Sequence, residues 1–167
     1  MSRPQQQRTR APEKGTRTVL QPPQPRPLTV QVVLVWAGRV AGAALLAAMA
    51  GIHLYLWNTG YRTIPIIGPL FLANAVAGAL LCLALLLSTR RALLLISAAG
   101  AALAAGTLVG LILSVTSGLF GFTESLQAQL TTPSIATEAA AIVILGGLAG
   151  YEAAHHSRFM RLPSRTR

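Results

Sequence analysis

Apolar residues in this chain do not alternate with polar ones but come in four long blocks. The first runs from about Val33 to Trp57 and is uninterrupted from Val40 onward. The others run from about Ile66 to Leu87, Ala92 to Val115 and Ser134 to Ala154. At about 1.5 Å of rise per residue, each block can cross the roughly 30 Å of hydrocarbon in a bilayer. A backbone inside hydrocarbon must pair its own polar groups, so blocks of this length predict helices. The expected fold class is an all-α membrane protein, a four-transmembrane-helix bundle.

The interruptions have local causes. Asn58, Gly60 and Pro65 break the chain after the first block. Pro69 suits the first turn of the second helix, where a missing N–H costs little. Ser88, Thr89, Arg90 and Arg91 make a tight turn, and Pro133 with Ser134 opens the fourth helix, Ser134 as its expected N-cap. The tetrapeptide AMAG at 48–51 resembles a signal-peptide cleavage site. The region before it is unusually long and the apolar character continues to Trp57, so the block reads as a span.

Residues 1–28 are a different material: six of the ten prolines, many glutamines and six basic residues. Such a segment buries too little apolar surface to offset its ordering entropy and is expected to be disordered. The domain reading is a basic tail over 1–28, a transmembrane domain over 29–155 and a short basic C-terminal tail over 156–167.

Charge sets the orientation. Twelve of the fourteen Lys and Arg lie in the two tails and the second turn. Arg62 stands alone in the first loop, the third loop has none, and Arg39 lies at a helix edge. By the positive-inside rule both termini are expected in the cytoplasm, and the expected location is the plasma membrane. The net charge of +10 therefore points to the anionic inner leaflet, with no nucleic-acid partner expected.

Ionisable and amide side chains are expensive within spans, which makes the few present the candidates for chemistry. His53, Asn74 and Glu138 come from three helices and fall in one layer near the outer surface. Arg39 and His53 are fourteen residues apart, as are Glu138 and Glu152. Fourteen residues is about four turns, so each pair shares a helix face. If the first and fourth helices are antiparallel neighbours, His53 meets Glu138 in an outer rung and Arg39 meets Glu152 in an inner one. Each group also has a plain structural reading. Glu138 suits the positive end of its helix dipole, Arg39 can snorkel, Glu152 can sit among headgroups, and His53 can donate to a backbone carbonyl.

Small residues form the second pattern. Ser97, Gly100, Ala104, Thr107, Gly110 and Ser114 recur at three- and four-residue spacing, and GxxxG occurs at Gly38/Gly42, Gly106/Gly110 and Gly146/Gly150. Such stripes let helices approach closely, within the bundle or in self-association. Asn74, Gly78 and Cys82 share a face expected to look inward. Tyr55, Trp57, Tyr61, Phe120 and Phe122 gather near the outer boundary as an aromatic belt. The third loop is the longest, and its LFGF segment is expected to lie in the interface and partly cover the polar layer.

Chemical machinery is sparse. GxxxxGK[ST], HExxH and GxSxG are absent, as is Asp, and the sequence argues against an enzyme. Cys82 is the only cysteine, so no thiolate cluster is possible. The outer layer offers two good ligands where zinc wants three or four, and His155 and His156 lie at the opposite surface from His53, too far for a bis-histidine haem. No metal, cofactor or catalytic residue is predicted.

The stretches GIHLYLW, GYRTIPIIGPLFL and SGLFGFTE, followed by a Glu early in the last span, resemble a family of small four-span membrane proteins of GC-rich Gram-positive bacteria, the actinobacteria. The resemblance covers about residues 33–153, with His53, Tyr61, Arg62, Phe120, Gly121 and Glu138 on the pattern. It implies the fold and the membrane location and carries no established activity. The first functional reading is a non-enzymatic accessory or structural component of the cell envelope, with the bilayer and other membrane proteins as partners. The alternative is a small ligand-binding or redox-associated module using the His53, Asn74 and Glu138 layer.

Overall fold

Four helices account for most of the described residues, 30–160, in a computed structural model. They are α1 (Val30–Thr59), α2 (Ile67–Leu87), α3 (Arg90–Thr116) and α4 (Thr131–Met160). All four are long and apolar enough to cross a membrane. The expected N-terminal tail and the end of the C-terminal tail lie outside the described residues.

The bundle closes unevenly. α1 packs extensively on α2, and α3 on α4; α1 also packs on α4, while α2 and α3 touch least of the four neighbouring pairs. The core is built around Leu46 and Leu145, both fully buried, with Met49, Leu85, Leu93, Ala104 and Ala141. Glycines make room for the two leucines. A Cβ at Gly42 would stand 2.5 Å from Leu145 Cδ2, and one at Gly100 would stand 2.9 Å from Leu145 Cδ1. The stripe of small residues on α3 thus seats a branched side chain from α4, and Gly78 lets α2 approach Leu46 and Ala50 on α1. Gly146 and Gly150 face outward with nothing within 4 Å.

The helix ends depart from expectation in one instructive place. Ser134 does not cap α4. The helix begins three residues earlier, where Leu130 at φ 68° swings the chain into it, and the Ser134 N–H donates to Leu130 O at 2.9 Å. Pro133 then sits in the first turn, where its missing N–H is tolerated.

The third loop is folded. Leu119 and Phe122 exchange two backbone hydrogen bonds, at 2.7 and 2.9 Å. Phe120 (φ 53°) and Gly121 (φ 79°) form the centre of that turn. Positive φ at both central residues is the signature of a type I′ hairpin turn. Glycine takes this conformation freely, whereas Phe120 does so under strain and carries its ring outward to the surface.

Candidate functional site

His53, Asn74 and Glu138 stand in one layer of the bundle. His53 lies about six residues before the end of α1, and Asn74 and Glu138 about seven residues into α2 and α4, roughly 10 Å from that end of the bundle. All three are buried. The partnership differs from the expected outer rung. His53 Nδ1 lies 2.9 Å from Met49 O, and a carbonyl only accepts, so Nδ1 carries the proton. The neutral ring then presents Nε2 as an acceptor, and Asn74 Nδ2 donates to it at 3.1 Å. Glu138 Oε1 stands 3.8 Å from Nε2, too far for a hydrogen bond. In this arrangement the imidazole is neutral, and Asn74 rather than Glu138 is its direct partner.

The inner pair does not form; its two members serve opposite ends of one turn. The Arg39 guanidinium donates to Leu85 O at 2.7 Å, Leu86 O at 3.1 Å and Ser88 O at 2.7 Å, and lies over the Trp36 ring. It thereby caps the C-terminus of α2, where unpaired carbonyls carry the negative end of the dipole. Glu152 instead meets Arg90, the first residue of α3, at 3.6 Å. A buried cation at the end of one helix and a buried anion beside the start of the next hold the Ser88–Thr89 turn between them. The fourteen-residue spacing placed both groups at the same depth, but Arg39 meets the carbonyl end of α2 and Glu152 the Arg90 side chain, which pattern alone does not show.

A cavity of about 520 Å³ opens beside this polar layer, where α2 and α3 pack only loosely. His53, Asn74 and Glu138 line it, with Ser114 from α3 and an apolar wall that includes Phe71 and Leu103. Ala73, Ala102 and Gly106 line it and are also exposed, so the cavity opens sideways between α2 and α3. Among the described residues no group of three or more His, Cys, Asp or Glu could hold a metal. Protein-family models, curated proteins and solved structures all yield no match to this chain.

The third loop closes that end of the bundle. Leu119 and Phe122 of the LFGF segment line the cavity, while Phe120 points away. A run of rings joins the loop to the polar layer. Phe122 meets Tyr61 edge-on at 5.7 Å, Tyr61 stacks on Phe71 at 4.7 Å, and Phe71 lies 5.1 Å from His53. The Tyr61 hydroxyl donates to Glu124 Oε2, and the Glu124 N–H donates to Ser114 O. Tyr61 is therefore a latch between the first and third loops, more than a belt aromatic. Arg62 beside it is exposed.

Sequence reading missed Phe71 and Glu124 and saw Ser114 only as one of the small residues. Glu124 carried a usable signal, being one of four acidic residues in the chain. Phe71 carried none, since a phenylalanine inside an apolar block looks like any other.

Burial, then the hydrogen bond and negative charge of Glu124, push the Tyr61 phenol well above its usual 10.0. The latch is thus fully present below pH 10.0 and is lost only as the pH rises through the higher folded value. Ultraviolet titration of the folded protein should show a late-ionising phenol that disappears in Tyr61→Phe. A titration in which the variant instead loses an ordinary phenol would show that the latch does not form.

Proposed function

We propose that this chain is a multi-pass integral membrane protein, with both termini cytoplasmic, that binds a small amphipathic molecule in the cavity between α2 and α3. The asymmetry of Lys and Arg supports the orientation, and the quoted stretches support a likeness to the four-span membrane proteins of actinobacteria. One observation carries the binding reading. Asn74 Oδ1, Ser114 Oγ and Glu138 Oε2 are buried without a hydrogen-bond partner, and all three residues line this one cavity. Unpaired buried polar atoms are costly, and a set of them in a mostly apolar cavity of ligand size is what a ligand with a polar end requires. The lateral opening faces the acyl chains, so an amphipath reaches the site from the bilayer.

The reading is binding rather than catalysis. No hydrogen bond joins the Ser114 hydroxyl to His53, and the His53 ring is committed on both nitrogens. The accessory-component reading rests on no particular residue, and the cavity is what distinguishes the two.

Blocking the cavity tests the proposal. A Cβ at Gly106 meets nothing within 4 Å, so Gly106→Phe introduces a ring at the mouth without a backbone clash. The probes are three dansyl-hexyl amphiphiles with identical bodies, ending in an ammonium, a neutral acetamide or a carboxylate. Native mass spectrometry of the detergent-solubilised protein should show a one-to-one adduct with at least one of them. The adduct should be lost in Gly106→Phe while the melting temperature is kept. If none of the three binds the wild-type protein, the binding reading is wrong.

A further inference from the structure

We infer that the polar end of the ligand is a protonated amine, held by Glu138 and Asn74 against the aromatic wall of the cavity. The inference rests on the binding reading above and goes on to name the chemistry of the ligand.

Charge is the first argument. Among the described residues, two glutamates and no Lys or Arg line the cavity: Glu138 at the polar layer and Glu124 at the loop. Glu124 is engaged by Tyr61 and by the Ser125 N–H at 2.9 Å. Glu138 is 1% exposed and has one oxygen without a partner. The neighbouring His53 does not neutralise it, because its Nε2 accepts a hydrogen bond from Asn74. An anionic headgroup would enter next to a carboxylate with no cation to receive it. A cationic one supplies the counter-charge that a buried carboxylate needs.

Hydrogen-bond polarity is the second argument. An ammonium carries donors and no acceptor. Once its amide N–H is given to His53, Asn74 presents only Oδ1, which accepts. A ketone or quinone oxygen beside Glu138 and Asn74 would meet two acceptors, whereas an ammonium meets two groups of the polarity it needs.

The wall is the third argument. Phe71, Tyr61 and Phe122 line the cavity as a contiguous aromatic surface. The faces of such rings attract cations, most strongly where water is excluded. The organic body of the ligand packs against the apolar remainder of the cavity and the acyl chains outside it.

The three dansyl-hexyl probes separate this inference from the reading it rests on. Equilibrium dialysis in non-ionic micelles, corrected for protein-free micelles, should rank the ammonium at least about tenfold tighter than the acetamide, with the carboxylate weakest. Glu138→Gln should remove that preference, bringing the ammonium to the affinity of the acetamide. Asn74→Ala, which leaves the charge in place, should weaken the ammonium by a few-fold and keep the ranking. If Glu138→Gln does not fold, the wild-type ranking of the three probes decides on its own. Equal binding of the ammonium and acetamide, or preference for the carboxylate, would overturn the inference and leave the binding site standing. No binding of any probe would remove both.

Discussion

Arg39→Ala is expected to destabilise the folded protein by about 3 kcal/mol, because the buried guanidinium holds several carbonyls at once and hydrogen bonds to a charged group are worth roughly 1.5–3 kcal/mol. Its planar fork reaches Leu85, Leu86 and Ser88, and it replaces the water that the end of α2 would otherwise need. Removing it leaves those carbonyls unpaired beside an apolar core. Arg39→Lys should recover only part of the loss, since a single ammonium lacks the fork. Unfolding in mixed micelles, followed by circular dichroism, measures both variants. A loss below about 1 kcal/mol would mean that these bonds are readily replaced by water or headgroups.

Gly68→Ala is expected to cost about 1–3 kcal/mol, the usual penalty for overpacking, from a single methyl. A Cβ there would lie 2.7 Å from Tyr61 O and 2.8 Å from Arg62 O. These are backbone atoms, so no side-chain rotation relieves the clash, and the connection between α1 and α2 must move. Tyr61 moves with it, which ties the stability loss to the site. The variant should also return the late-ionising phenol toward ordinary behaviour. Gly51→Ala is the matched control. Nothing lies within 4 Å of that position, and alanine is the better helix former. If Gly68→Ala melts with the control, the close approach at Tyr61 is not a constraint on the fold.

Much of the candidate site could be read from the sequence because lipid makes polar residues conspicuous. His53, Asn74 and Glu138 stand out in apolar blocks, and helix direction alone assigns them one depth. What could not be read was who bonds to whom. His53 has a backbone carbonyl and an amide within reach as well as a carboxylate, and angstrom-scale differences in helix packing choose among them. The same holds for Arg39. Its depth was legible, but its partners are the carbonyls at the end of α2, and every helix ends in carbonyls whatever its sequence. Phe71 is the extreme case, because an apolar side chain in an apolar block carries no mark of the face it occupies.

The sequence by itself determined four helices, their order, the breaks between them and the depth of each costly polar group. Hydrophobic block length and the need to pair the backbone leave little alternative. Only the tertiary structure decided that α2 and α3 pack loosely, and the cavity opens there. It depends on how Gly42, Gly78 and Gly100 let the other helix pairs close around Leu46 and Leu145. Close packing is a property of side chains meeting in space, and one-dimensional spacing specifies which face is small without specifying what fills it.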